Sequence, residues 1–169
     1  MKILFFLHPS FFSDRLRELE WIQKFAIGLN ECGFQTTLFK SREHKIKDYD
    51  WVFVFSNTDP ETLRTLKRAG ARLLVIPSLF EKPPQPSLVN ISMGKSVRLI
   101  RILLQKTLNP IEPNAFDPSN FALVLASTQE WVNYVHLKWK AKSEKIILLS
   151  PDPLQAGKNL SPYLNHQLT

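Results

Sequence analysis

Chemistry in this chain has to come from scattered side chains. His8, His44, His136 and His166 lie far apart, and none has a second histidine or a cysteine at metal-ligand spacing. No metal is expected. Cys32 is the sole cysteine, which excludes an internal disulfide and a thiolate cluster and points to a reducing cytoplasm. Ser127 and Ser150 lack the histidine and acid of a nucleophilic triad. The five glycines, Gly28, Gly33, Gly70, Gly94 and Gly157, are too dispersed for a dinucleotide fingerprint. Gly94-Lys95-Ser96 matches the end of a phosphate-binding loop but lacks the upstream glycine and strand. A receiver-type aspartate would stand where Phe55-Ser56 stands. No cofactor is therefore expected. His8 differs from the other histidines because it follows the first apolar run, where a ligand of an α/β sheet would lie.

The elements that must position these groups alternate regularly. Lys2–Leu7 reads as strand one. A helix follows, capped by either Ser13 or Asp14, with Leu16, Leu19, Ile22, Phe25, Ala26 and Leu29 at helical spacing and Gly33 as its stop. Phe34–Lys40 is strand two and Trp51–Phe55 strand three. Thr58-Asp59-Pro60-Glu61 combines a cap, a proline at the first helical position and an acid facing the helix dipole. Gly70 ends that helix, and Arg72–Ile76 is strand four.

Pro83, Pro84 and Pro86 then predict a long surface loop over Ser78–Leu88. Phe121–Ala126 and Lys145–Leu149 are nearly continuous apolar runs around a helical segment, as strands are when helices cover both sheet faces. The tail after Pro153 shows little periodicity and is open between a linker, a docked end and the stump of something larger.

About six strands and four or five helices predict one α/β domain over residues 1–153, a mostly parallel, Rossmann-like sheet covered on both faces. Residues 154–169 are its tail or linker. Ligands of such sheets gather at the carboxyl ends of the strands, near the switch in strand order. The candidate ligand-binding residues are therefore His8, Ser10, Ser56, Ser78, Ser127 and Glu130, with Ser150–Pro153 as a further loop.

Composition sets wider bounds. Hydrophobic residues make up 44% and charged residues 22% of 169, values of a globular chain rather than a disordered one. No apolar run approaches the roughly 20 residues of a bilayer span. The start is too short for a signal-peptide core. A net charge of +7 favours anionic partners. Lys95–Leu108 predicts an amphipathic helix with a broad apolar side and Lys95, Arg98, Arg101 and Lys106 along its border. That pattern fits an acidic membrane surface, and it equally fits a helix packed on a sheet with its charges in water. Nucleic acid is not expected, because no strand interleaves exposed aromatics with basic residues.

Three stretches resemble the N-terminal, acceptor-side domain of GT-B glycosyltransferases of the retaining sugar-transferase family. Met1–Leu7 with Glu18–Phe39 is similar to that family's opening strand, helix and glycine turn, carried by Ile27-Gly28-Leu29-Asn30-Glu31-Cys32-Gly33-Phe34. Tyr49-Asp50-Trp51-Val52-Phe53-Val54 is similar to its third strand, and Phe121–Leu149 to its last strand-helix-strand unit, with Ala126-Ser127 at the serine. The resemblance spans about residues 1–153.

It implies a cleft in which this half holds the acceptor, a glycan or a lipid-linked molecule, and a second domain or partner chain holds the nucleotide sugar. The chain departs from the family at the glycine pair after strand one, replaced by His8-Pro9-Ser10. Further departures are Phe121 for an aspartate, Ser78-Leu79-Phe80 for a histidine, and Ser150-Pro151-Asp152-Pro153 for asparagine and glycine. The expected function is thus acceptor binding in sugar transfer, in the cytoplasm or at the inner face of a membrane. The alternative is a non-catalytic binding or scaffold protein of the same fold.

Overall fold

A computed structural model describes residues 1–7, 12, 14–38, 46–55, 58, 60–84 and 121–166. Among them are six strands: β1 Lys2–Phe5, β2 Gln35–Leu38, β3 Trp51–Phe55, β4 Arg72–Ile76, β5 Leu123–Ala126 and β6 Ile146–Leu148. The helices are α1 Leu16–Glu31, α2 Pro60–Arg68, α3 Gln129–Lys138 and α4 Pro153–His166. The strands form one sheet in the order β2-β1-β3-β4-β5-β6, every pair parallel. This is the α/β, Rossmann-like architecture that the alternation predicts. The strand order reverses between β1 and β3.

Burial explains why the middle strands are continuous apolar runs. β3 is buried at all five positions, β4 at its last four and β5 at all four, because both of their faces are covered. Ile3, Phe5, Trp51, Phe53, Phe55, Leu74 and Ile76 point to one face and meet Ile22, Phe25 and Leu29 of α1 with Leu160 and Leu164 of α4. Leu4, Val52, Val54, Leu73, Val75 and Val124 point to the other and meet Leu63 and Leu66 of α2 and Trp131 and Val135 of α3. Rings organise the first face: Phe5 and Phe53 stack at 4.6 Å, and Phe25 meets them edge-on at 6.0 and 5.7 Å, a favoured aromatic arrangement. The outer strands differ. β2 is exposed or half-buried throughout, and Leu148 of β6 is 51% exposed.

Helix ends follow local chemistry. Gly33 and Gly70 adopt φ of 88° and 80°, and the residues after them close back, Phe34 N–H to the Leu29 carbonyl and Ala71 N–H to that of Leu66. Both are the left-handed stops expected of glycine. The start of α1 corrects the sequence reading. Arg15, not Asp14, occupies the cap position, with no side-chain cap bond; Ser13 lies outside the described residues. The reason is that the Arg15 carbonyl accepts the first intrahelical bond, from Leu19 N–H at 3.0 Å.

The strands are also shorter than their apolar runs. β1 stops at Phe5, although Phe6 N–H still donates to the Phe53 carbonyl, and β5 starts at Leu123 after Ala122 N–H has bonded to Leu73.

The tail is a docked end. Residues Pro153–His166 form α4, with Ala156, Gly157, Leu160 and Leu164 buried. Gly28 and Gly157 let α1 and α4 cross backbone to backbone: a Cβ on Gly28 would overlap the Leu154 carbonyl oxygen, and one on Gly157 that of Phe25. Lys158 and Glu31 pair across the same crossing at 2.7 Å. The predicted basic helix Lys95–Leu108 lies outside the described residues.

Candidate functional site

In a parallel sheet every strand ends on the same side, so the loops after β1, β3, β4, β5 and β6 form one rim. The strand order reverses between β1 and β3, the place where ligands of such sheets usually lie. His8 and Ser10 after β1, and Ser56 after β3, lie outside the described residues. So do Lys95, Arg98, Arg101 and Lys106. Of the candidates, Ser78, Ser127 and Glu130 are described, and the first two meet.

The meeting is a hydrogen bond. Ser127 follows β5 directly, and its Oγ donates to the Ser78 carbonyl at 2.7 Å. Ser78 follows β4, and its own Oγ accepts from Glu81 N–H at 3.1 Å, a serine turn that folds the loop on itself. A second tie lies three residues on, where Trp131 Nε1–H of α3 donates to the Glu81 carbonyl at 2.7 Å. Leu79 between them is buried against the core. The Arg17 guanidinium of α1 sits 4.3 Å from the centre of the half-exposed Phe80 ring, within cation–π range. The β4 loop is thus held from two sides, by α1 and by the β5–α3 junction.

The neighbouring helix starts are capped. Thr128 is the cap of α3, its Oγ1 accepting from Trp131 N–H at 3.3 Å. Asp152 Oδ1 accepts from Gln155 N–H at 2.7 Å at the start of α4, and Pro153 fills the first helical position. Glu130 is exposed in the first turn of α3, where a carboxylate complements the helix dipole.

Around Ser127 the geometry is that of a link between two loops. The Ser127 hydroxyl proton is directed at a carbonyl oxygen, so only its lone pairs remain to accept. Among the described residues, Glu20 has its carboxyl held below the ordinary range by a hydrogen bond from Lys24, on the exposed side of α1. Among the described residues no three His, Cys, Asp or Glu side chains converge as metal ligands. The rim offers hydroxyls, peptide groups, the Glu130 carboxylate and an aromatic face. Such groups, with the Arg17 guanidinium beside Phe80, suit a polar ligand such as a polyol.

The tail helix adds residues that the sequence reading passes over. Lys158, Asn159, Pro162 and Tyr163 of α4 line a depression of about 470 Å³ with Ile147 and Leu148 of β6 and Leu149 and Ser150 after it. Leu148 and Tyr163 are each 51% exposed beside it. Two signals were available. Ala156, Leu160 and Leu164 recur at four-residue spacing, and Asp152-Pro153 is a cap followed by a proline at the first helical position. Pro162 obscured them, since proline is disfavoured within helices.

No protein-family model, curated protein or solved structure matches the chain. No helix among the described residues is long and apolar enough to cross a membrane.

Proposed function

We propose that the chain is the acceptor-side half of a sugar-transfer assembly: a Rossmann-like unit that binds a glycan or lipid-linked acceptor while another domain or partner chain holds the nucleotide sugar. The observation that carries this reading is the stitched rim. Ser127 bonded to Ser78 and Trp131 bonded to Glu81 tie the β4 loop beside α3, and the hydroxyl, carboxylate and aromatic groups there are of the kinds that recognise sugars. In the same reading His8, Ser10 and Ser56 contribute from the loops after β1 and β3, and Lys95, Arg98, Arg101 and Lys106 bring the chain to an acidic membrane face in the cytoplasm. The resemblance of residues 1–153 to the acceptor domains of GT-B enzymes adds to it.

One observation favours the second reading, a non-catalytic binding or scaffold protein. The Ser127 proton is engaged by a backbone carbonyl oxygen rather than by a base. Both readings place acceptor binding at the rim and differ in whether transfer follows.

Isothermal calorimetry with a panel of oligosaccharides and nucleotide sugars tests the proposal. Binding of an oligosaccharide, weakened at least tenfold by Glu130→Ala or Phe80→Ala, is the expected result. Tight binding of a nucleotide sugar by this chain alone would overturn the acceptor-side assignment. Sugar turnover on adding a donor-binding partner separates the enzyme from the scaffold.

A further inference from the structure

At the opposite end of the sheet, the turn from α3 to β6 has a composition that the rim does not explain. Leu137 is 72% exposed, the most exposed large hydrophobic side chain among the described residues. It is followed by Lys138-Trp139-Lys140-Ala141-Lys142, in which all three lysines are exposed, Trp139 is half-buried and Ala141 is buried. Between His136 and Glu144 the one acid is Glu144 itself, which reaches Lys142 at 3.9 Å with both side chains largely in water. Lys145, the next lysine, turns inward to the Phe121 carbonyl at 3.3 Å. His136 Nδ1 lies 3.1 Å from the Ala141 carbonyl oxygen, bracing the turn from within.

The backbone conformation adds a second observation. α1 and α2 end on glycines at positive φ, whereas the corresponding left-handed residue after α3 is Lys140, at φ 54°. A lysine occupies the position that glycine fills without steric cost. The result is a short braced turn that joins an exposed leucine in the last turn of α3, a half-buried tryptophan and three exposed lysines.

We propose that this turn docks on an anionic lipid surface, with Leu137 entering the headgroup boundary, Trp139 at the interfacial level and Lys138, Lys140 and Lys142 on the headgroup phosphates. Charge complementarity supplies the attraction. The exposed leucine selects lipid over nucleic acid, because a phosphate backbone gains nothing from an aliphatic side chain, whereas a bilayer interface takes up leucine and tryptophan. The turn is separate from the segment carrying Lys95, Arg98, Arg101 and Lys106, and its docking does not depend on sugar transfer.

The experiment is sedimentation of the 169-residue chain with vesicles of phosphatidylcholine alone or of phosphatidylcholine with phosphatidylserine. Association with the anionic vesicles that is reversed by salt is expected, with little on neutral ones. A lysine near such a surface contributes about fivefold, so K138Q/K140Q/K142Q together should lower the partition coefficient roughly a hundredfold. Leu137→Ser should lower it roughly fivefold. Unchanged far-ultraviolet dichroism establishes that these surface variants are folded.

Equal pelleting on neutral and anionic vesicles, or no pelleting of the parent, overturns the proposal. So does loss of binding confined to a K95Q/R98Q/R101Q/K106Q variant while the turn variants bind as the parent does. Binding of a single-stranded oligonucleotide that falls with the lysine changes but not with Leu137→Ser, in a chain that ignores vesicles, overturns it in favour of nucleic acid.

Discussion

The α1–α4 crossing and the β4 loop are both held tightly, by opposite means. At the crossing two glycines let backbones touch, and a side chain on either would overlap a carbonyl oxygen. At the rim the loop is held by side chains reaching carbonyls, Ser127 to Ser78 and Trp131 to Glu81. Backbone contact leaves no freedom to substitute, since neither helix can give way without dislodging Phe25, Leu29 and Leu160 from the core. Side-chain stitching can be undone one bond at a time, leaving a fold whose loop has loosened. The first is a device of stability and the second one of placement.

The largest expected effect tests the crossing. Gly28→Ala should destabilise by about 3 kcal/mol, the upper range for overpacking a closed core, read as a lower urea midpoint. A change under about 0.5 kcal/mol would mean that the helices separate freely there.

Next is Trp131→Phe, which removes the bond to Glu81 and part of a buried ring. About 2 kcal/mol is expected. Trp51→Phe sharpens this comparison, for Trp51 is fully buried and its Nε1–H has no acceptor among the described residues. It should cost about 1 kcal/mol less than the Trp131 change, because no bond is lost. Equal costs would show that the Trp131–Glu81 bond contributes nothing.

Ser127→Ala comes third, at about 1 kcal/mol, and its signature is local. Amide exchange should quicken over residues 78–81 and stay unchanged in α1 and α4.

The smallest effect is electrostatic. Glu31 raises the pKa of Lys158 through their hydrogen bond. With the folded value above the unfolded one, this pair's contribution is complete below the ordinary lysine range and vanishes as pH rises through the folded value. A Lys158→Gln variant should therefore melt slightly below the parent at neutral pH, and the difference should close in strong alkali. A gap that persists there would assign the effect to packing.

Much of the fold was legible because its signals are local. Trp51–Phe55 and Leu73–Ile76 are runs of apolar residues buried on both faces. Gly33 and Gly70 stop their helices as left-handed glycines do. Legibility failed where local signals conflicted. Pro162 within α4 masked the four-residue spacing of Ala156, Leu160 and Leu164, and a nearby Asp14 drew the cap of α1 away from Arg15. At the rim, the sequence placed Ser78 and Ser127 on two candidate loops but held no sign that one donates to the other's carbonyl. They are 49 residues apart.

By itself the sequence determined the alternation of strands and helices and the parallel sheet, since hydrophobic periodicity and capping act within a few residues. Only the tertiary structure decided that α4 is part of the core, that Gly28 and Gly157 serve a crossing, that the Ser127 proton is taken, and that Leu137 stands in solvent amid lysines. Each of these depends on which distant backbone comes within about 3 Å, or fails to. No spacing along the chain encodes that.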